Sequence, residues 1–170
     1  MAYIPDIIDY KPFYIQTDAD GSAIDTTEWG LVAKSTPFPL LPTPKEVYKN
    51  EWLDENGDDE YNAVMAYESF EFEVTFYVKA FESPNESAEE VLRGQIYRFF
   101  QKIQHGEFSI YDSYTSLGRR KVRYAGLSDE KFKCGTSPRG NWARSIFTIT
   151  FKVNDPVTLM TLYDGRIVEV

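Results

Sequence analysis

The longest regular pattern in the chain is an alternation of apolar and polar residues over residues 68–80, ESFEFEVTFYVKA. A period of two is typical of a β-strand that has one face in the core and the other outside it. At about 3.3 Å per residue this stretch would be roughly 43 Å long, beyond the usual strand of 3–10 residues. We therefore predict a long strand whose outer face meets either water or a partner, and the candidate subunit-contact residues on it are Glu71, Glu73, Thr75, Tyr77 and Lys79.

A helix is predicted directly after this strand. Ser87 and Glu90 have the spacing of a capping box, with Ser87 as the N-cap and Glu90 at the third helical position. Gly106 is a natural stop at the other end. The apolar residues between these points recur at helical spacing and predict one buried stripe: Val91, Leu92, Ile96, Phe99, Phe100 and Ile103.

The rest of the chain is dominated by shorter strand patterns. Residues 35–44 contain four prolines and predict an extended connector, and residues 50–62 predict a long acidic loop. Asp164 and Gly165 predict a type I′ hairpin in the C-terminal segment. The fold class is therefore α+β, mostly β: an antiparallel β-sandwich with one flanking α-helix and a C-terminal β-hairpin, in a single domain over residues 1–170. The predicted shorter strands are 11–16, 28–34, 45–49, 108–111, 120–124, 131–134 and 143–153.

Composition excludes several classes of protein. A hydrophobic content of 42% excludes a disordered chain, and one cysteine excludes an intrachain disulfide. The N-terminus lacks the pattern of a secretory signal, and no apolar run is long enough to cross a membrane. A net charge of −9 disfavours nucleic-acid binding. Residues 54–60 are acidic and residues 118–123 are basic, which fits either two solvated surfaces or complementary edges of neighbouring subunits.

The residue types that carry catalysis are scarce. His105 is the only histidine and lies where a helix C-terminus is predicted, so a capping role is the simpler interpretation. Cys134 lies between lysines but is more simply a small core residue than a nucleophile. The acidic residues 54–60 lack the glycine and glutamate spacing of a calcium loop. We predict no catalytic residue, no cofactor and no metal site.

The order of these elements resembles the N-terminal domain of phage distal tail proteins, the Dit family. The resemblance covers about residues 25–156. It depends on the segment EWGLV at 28–32, the proline-rich connector ending PTPK at 42–45, the acidic turn, the strand and helix, and the segment GEFSI at 106–110. It continues through GRRKVRYAG at 118–126 and ends at NDP, 154–156. A glycine-rich turn often found in the family is replaced here by residues 55–60. With 14 residues after Pro156, we do not expect the second, galectin-like domain that many members carry.

The resemblance implies a structural, non-enzymatic protein of the virion tail, assembled in the host cytoplasm of a phage or prophage. It implies a homo-oligomeric ring, with a hexamer as the expected form, which joins the tail tube to the baseplate or tail tip. Its partners would be other tail or baseplate proteins, with no membrane and no specific nucleic-acid binding. DNA would pass through the lumen. The alternatives are a tail tube or tail terminator protein of the same fold, or a β-sandwich ligand-binding module.

A conduit for DNA is expected to repel phosphate, which an acidic inner wall would do. We therefore predict that either the polar face of the long strand or the acidic loop faces the lumen. The alternative is that the loop is an outward, solvated surface. The loop residues concerned are Asp54, Glu55, Asp58, Asp59 and Glu60.

Overall fold

The structure, a computed structural model, describes residues 11–17, 21–35, 39, 41–47, 49–51, 53, 58–60, 65–104 and 106–170. Strands dominate these residues, and they surround one α-helix. The strands are β1 Phe13–Gln16, β2 Ile24–Asp25, β3 Leu31–Ser35, β4 Lys49–Glu51, β5 Asp58–Glu60, β6 Phe70–Phe81, β7 Phe108–Asp112, β8 Leu117–Ser137, β9 Gly140–Val153, β10 Met160–Tyr163 and β11 Arg166–Glu169, and the helix is α1 Ala88–Ile103.

Nine of the strands form one antiparallel sheet. Its main path runs β2-β1-β7-β8-β9-β6-β3, and β10 joins β8 and β11 beside it. The path folds over so that strands distant along it face each other. Phe13 of β1 lies edge-on to Phe76 of β6 at 6.1 Å and stacks with Phe151 of β9 at 6.3 Å between ring centroids. The predicted mostly-β fold with an antiparallel sheet, one α-helix and a C-terminal hairpin is confirmed.

Strand β6 and helix α1 are the best-predicted elements. The even-numbered residues of β6 point into the core, and Phe76 and Val78 are fully buried. Ser87 and Glu90 form the predicted capping box. The helix packs on the inner face of the sheet, where Phe99 lies 4.9 Å from Phe76 and 5.7 Å from Trp29 between ring centroids. The buried helical stripe is Ala88, Leu92, Gln95, Phe99 and Ile103, so Val91, Ile96 and Phe100 lie at its margins.

The predicted strand at residues 28–34 is wrong in its first half. Residues Thr26–Trp29 form a 3₁₀-helix, capped by the Asp25 side chain, which accepts a hydrogen bond from the Thr27 N–H. Gly30 follows with φ of 76°, and only then does β3 begin. The short helix turns Trp29 into the core beside α1, where burial of a large aromatic ring outweighs the local preference of the sequence for a strand.

The described residues of the acidic loop predicted at residues 50–62 include two strands. Strands β4 and β5 pair antiparallel and form a two-stranded sheet apart from the main one, with Asn50 opposite Asp59. The predicted strand at residues 45–49 is displaced to Lys49–Glu51. Charged residues are poor strand formers in isolation, so the sequence pattern predicts a loop, whereas pairing between the two segments holds both as strands.

The two short strands predicted at residues 120–124 and 131–134 belong to one strand, β8, which runs from Leu117 to Ser137. The register of its pairing with β9 shifts between Tyr124 and Gly126 and again between Ser128 and Lys131. Each irregularity moves side chains to the opposite face of the sheet, which breaks the alternation on which the sequence prediction depended.

The C-terminal hairpin has the predicted turn. Asp164 and Gly165 both have positive φ, 49° and 72°, as a type I′ turn requires. Strand β10 is tied to the main sheet at Gly118, opposite Met160. A Cβ at Gly118 would lie 2.8 Å from the Ile110 carbonyl oxygen, so the hairpin packs against β8 at a point where only glycine fits.

Candidate assembly surface

The predicted contact face lies on the outer side of the sheet, opposite α1. Glu71 and Glu73 are exposed, whereas Thr75, Tyr77 and Lys79 are half-buried. Pairing with β9 and β8 extends this face over three adjacent strands. Each outer-face residue of β6 therefore has a facing residue on β9, and that residue has one on β8; we call each such set of three a row. The charge and side-chain type of the rows change from one end of β6 to the other.

The rows at the start of β6 carry mixed charge. Glu71 lies opposite Lys152 of β9, and Lys152 lies opposite Arg123 of β8. In the middle of the face, the hydroxyl oxygens of Thr75 and Thr148 are 3.0 Å apart, at hydrogen-bonding distance. Opposite charges and hydroxyl pairs at directly facing positions stabilise a sheet modestly. This end of the face is electrostatically balanced within one chain.

The rows at the end of β6 are basic and aromatic. Lys79 lies opposite Arg144, which lies opposite Lys133, so three cations stand side by side on three strands. The Lys79 Nζ and the Arg144 guanidinium lie 5.1 and 5.6 Å from the ring centroid of Trp142. These distances are within the range of cation–π attraction.

The Trp142 ring packs against Gly135 on the neighbouring strand. A Cβ at Gly135 would lie 2.7 Å from the Trp142 indole, so the ring crosses β8 at a residue without a side chain. The neighbouring row adds Lys131, which lies opposite Ile146. We name the outer-face residues of these three rows the basic patch: Tyr77, Lys79, Phe81, Lys131, Lys133, Gly135, Trp142, Arg144 and Ile146.

Strand β8 leaves one of its edges open next to this surface. Its pairing with β7 ends at Val122, opposite Phe108, whereas its pairing with β9 continues to Ser137. In the part of the chain that the structure describes, residues 125–137 have no strand partner on the second edge. Unpaired backbone N–H and C=O groups on such an edge can pair with a strand of another chain.

The inner side of this open edge borders a groove beside α1. Leu92 and Ile96 of the helix line the groove together with Tyr97 and with Phe132 of β8. Tyr97 and Phe132 are both more than half exposed. The groove is shallow, and Glu89, Arg93 and Glu130 add charged side chains to its apolar lining.

The predicted loop and catalytic candidates are placed as follows. Asp54, Glu55 and His105 lie outside the described residues, and Asp58, Asp59 and Glu60 form the backbone of β5. Cys134 is exposed rather than buried, and it borders a shallow groove beside the start of α1. Among the residues described, no group of three His, Cys, Asp or Glu side chains could hold a metal ion. Within the same residues, no helix has the length and apolar character needed to cross a membrane.

Sequence reasoning missed the role of Arg119. The basic segment 118–123 suggested a solvated surface, but Arg119 is only 1% exposed. Its two terminal nitrogens donate hydrogen bonds of 2.9 Å to the carbonyl oxygens of Pro39 and Pro156, and its guanidinium lies 5.4 Å from the Phe70 ring centroid. Burial lowers the pKa of Arg119, and the negative charge of Asp155 opposes that shift. A run of cations in a sequence contains no signal that one member is buried.

The next residue, Arg120, forms a surface salt bridge. It bonds Asp155 and Glu169, and so links β8 to the turn after β9 and to the C-terminal hairpin. Burial alone would raise the pKa of Asp155, but hydrogen bonds from Arg120 and from Thr158 and Val157 lower it to about 2. Arg119 and Arg120 together hold the segments that follow β9 against β8.

Comparison with known proteins supports the fold. The sequence matches no protein-family profile, and no curated protein matches it significantly. Among solved structures it is similar to the Dit (gp 19.1) protein of SPP1, described as a paradigm of the hub adsorption apparatus in phages that infect Gram-positive bacteria. The TM-score is 0.52 at 18% identity, over 88% of this chain. The chain spans about half of that protein, 52% of its length.

Proposed function

We propose that this chain is a structural subunit of a phage or prophage tail, similar to a distal tail protein. It forms a ring that joins the tail tube to the baseplate or tail tip. The observation that carries the proposal is the similarity of fold to the SPP1 Dit protein over 88% of the chain. The order of sequence elements suggests the same family through residues 25–156, which is a separate line of support. On this proposal the protein is not an enzyme, and it resides in the virion tail after assembly in the host cytoplasm.

The ring would assemble through sheet edges and the outer sheet face. Strand β3 is at one end of the sheet path, and the distal part of β8 leaves a second edge open among the described residues. Two different edges on one subunit favour a head-to-tail contact, and such contacts generate rings when the rotation closes. Pairing of β3 in one copy with β8 in the next would extend the sheet between subunits.

Purification of the full chain, followed by light scattering and negative-stain electron microscopy, tests the ring. We expect particles of several times the 19.7 kDa chain mass with a central pore. A monomer at all concentrations up to about 100 μM would contradict ring formation without a partner. Labelled antibodies on intact virions test the position: label at the tail tip supports the distal role, and label along the tail identifies a tube protein instead.

A further inference from the structure

The end of the molecule that contains the hairpin of β8 and β9 carries opposite charge on its two faces. The outer face there is the basic patch, in which Lys79, Arg144 and Lys133 occupy facing positions on three strands. Like charges directly opposite each other destabilise a sheet. None of the nine positions of the basic patch is an Asp or Glu. These positions therefore concentrate positive charge on one face, and Lys131 and Lys133 on β8 are exposed at its open edge.

At the same end, the segment that leads into α1 on the inner side is acidic, and Arg93 is the first cation of the helix beside it. Residues 82–90 include Glu82, Glu86, Glu89 and Glu90 and contain no Lys or Arg. They lie beside the hairpin, because the Glu82 carboxylate accepts hydrogen bonds of 3.1 and 3.0 Å from the backbone and side-chain nitrogens of Asn141. Glu86 and Glu89 are exposed. Since α1 packs on the inner face of the sheet, these carboxylates and the basic patch point to opposite sides of the molecule.

We propose that the basic patch of one copy binds the acidic start of α1 in the next copy, and that this contact sets the order of subunits in the assembly. The inference depends on the ring of the proposed function and names a face-to-face contact in place of the pairing of β3 with β8. The two faces differ, so the contact is head-to-tail and leaves one basic and one acidic face free on any open chain of copies. Such a contact repeats until it closes.

A second copy fits the basic patch better than nucleic acid does. Proteins that bind single strands use aromatic rings on which bases stack. The Trp142 ring is already engaged by Lys79 and Arg144 and crosses Gly135. The rest of the chain is strongly acidic. Segment 117–153 has nine Lys or Arg and two Asp or Glu, a net charge of +7, so the remainder of a chain of net charge −9 carries −16. Charge complementarity therefore favours another copy of this protein.

Charge reversal tests the contact. One variant carries Lys131→Glu and Lys133→Glu, and the other carries Glu86→Lys and Glu89→Lys; all four side chains are exposed, so the fold should be retained. Each variant should weaken self-association in sedimentation experiments at 150 mM salt by at least about tenfold. The chain with all four changes should associate again. Arg166→Glu and Glu107→Lys, exposed and outside both faces, are the matched controls and should associate like the parent chain.

Mixing the two double variants gives a sharper result. Two of the four possible contacts are then complementary: the native basic patch with the native acidic start of α1, and the reversed patch with the reversed start. We therefore expect the mixture to regain assemblies that neither variant forms alone. If the parent chain forms rings that neither double variant disturbs, the inferred contact is wrong while the ring stands. If the parent chain is monomeric at every salt concentration, both proposals fail. Binding of a DNA duplex at 150 mM salt that Lys131→Glu with Lys133→Glu abolishes, with self-association unchanged, would overturn the inference in favour of nucleic acid.

Discussion

The two halves of strand β8 have the same hydrogen-bonding partner, β9, and opposite surroundings. Along residues 117–124, Gly118, Arg119 and Val122 are buried, and β7 pairs with the second edge. Along residues 125–137, Leu127 and Phe132 are 50% and 53% exposed, and the second edge has no strand partner among the described residues. A single ladder thus belongs to the core at one end and to the surface at the other. Stability should depend on the proximal half and association on the distal half.

Truncation of an aromatic side chain should give the largest difference in unfolding free energy between the two halves of the β8–β9 ladder. Phe151 of β9 faces Tyr124, is fully buried and contacts the rings of Phe13, Phe72 and Phe108. Phe151→Ala should lower the free energy of unfolding by about 3–5 kcal/mol, because it leaves a cavity in the core. Phe132→Ala in the distal half should cost under about 1 kcal/mol. Urea denaturation measures both, and equal losses would remove the distinction between the halves.

The buried arginine offers the next comparison. Arg119→Met removes the donors that satisfy the carbonyl oxygens of Pro39 and Pro156, and it should cost about 1–3 kcal/mol of unfolding free energy. Arg123→Met, four residues along the same strand and exposed, is the matched control and should stay within about 0.5 kcal/mol of the parent chain. A stable Arg119→Met variant would show that the guanidinium does not hold these two segments.

Two glycines of β8 differ in the space around them: Gly118 is closely packed and Gly126 is not. A Cβ at Gly118 would lie 2.8 Å from the Ile110 carbonyl oxygen and 2.9 Å from the Met160 Cβ, whereas at Gly126 the nearest atom, the Thr150 Cβ, would be 4.0 Å away. Gly118→Ala should therefore cost about 1–3 kcal/mol through overpacking. Gly126→Ala should be near neutral. Thermal unfolding of the two variants makes the comparison, and a larger loss at Gly126 would contradict it.

The smallest expected effect concerns pH. The folded pKa of Asp155 is lowered to about 2 from 3.8, so its contribution to stability is present above pH 4 and is lost as the pH falls toward 2. A shift of this size corresponds to roughly 1–2 kcal/mol after allowance for partial exposure. Asp155→Asn should be less stable at pH 7 and should lose less stability between pH 4 and pH 2. Parallel curves for the two proteins would show that this carboxylate has no such role.

Sequence patterns predicted the elements whose signal is local. The alternation in β6 and the capping box at Ser87 each depend on residues within a few positions of one another, and each is present as expected. The turn at Asp164 and Gly165 belongs to the same group, since the positive φ values are a property of those two residues. The candidate contact residues Glu71 and Glu73 could be placed on an outer face for the same reason. Whether that face contacts another subunit stays a prediction.

The wrong sequence predictions concern features of secondary structure and burial that depend on residues distant along the chain. Strand β8 was divided in two because its irregularities against β9 interrupt the alternation, and pairing with β9 nevertheless holds it in one ladder. Residues 28–30 were assigned to a strand because burial of Trp29 against Phe99, seventy positions away, is invisible to a local pattern. Cys134 is expected in the core as a small residue type, but it is exposed on the part of β8 whose second edge has no strand partner among the described residues.

By itself the sequence determined the secondary-structure class of this protein, the position of its helix, its final turn and its overall acidity. These properties depend on local backbone preferences and on composition. Only the tertiary structure decided that Arg119 is buried while Lys131 and Lys133 are exposed, that three cations stand in one row, and that acidic and basic faces lie on opposite sides of one end. The physical reason is that burial and charge placement depend on which strands become neighbours, and that choice is made by packing across the whole sheet.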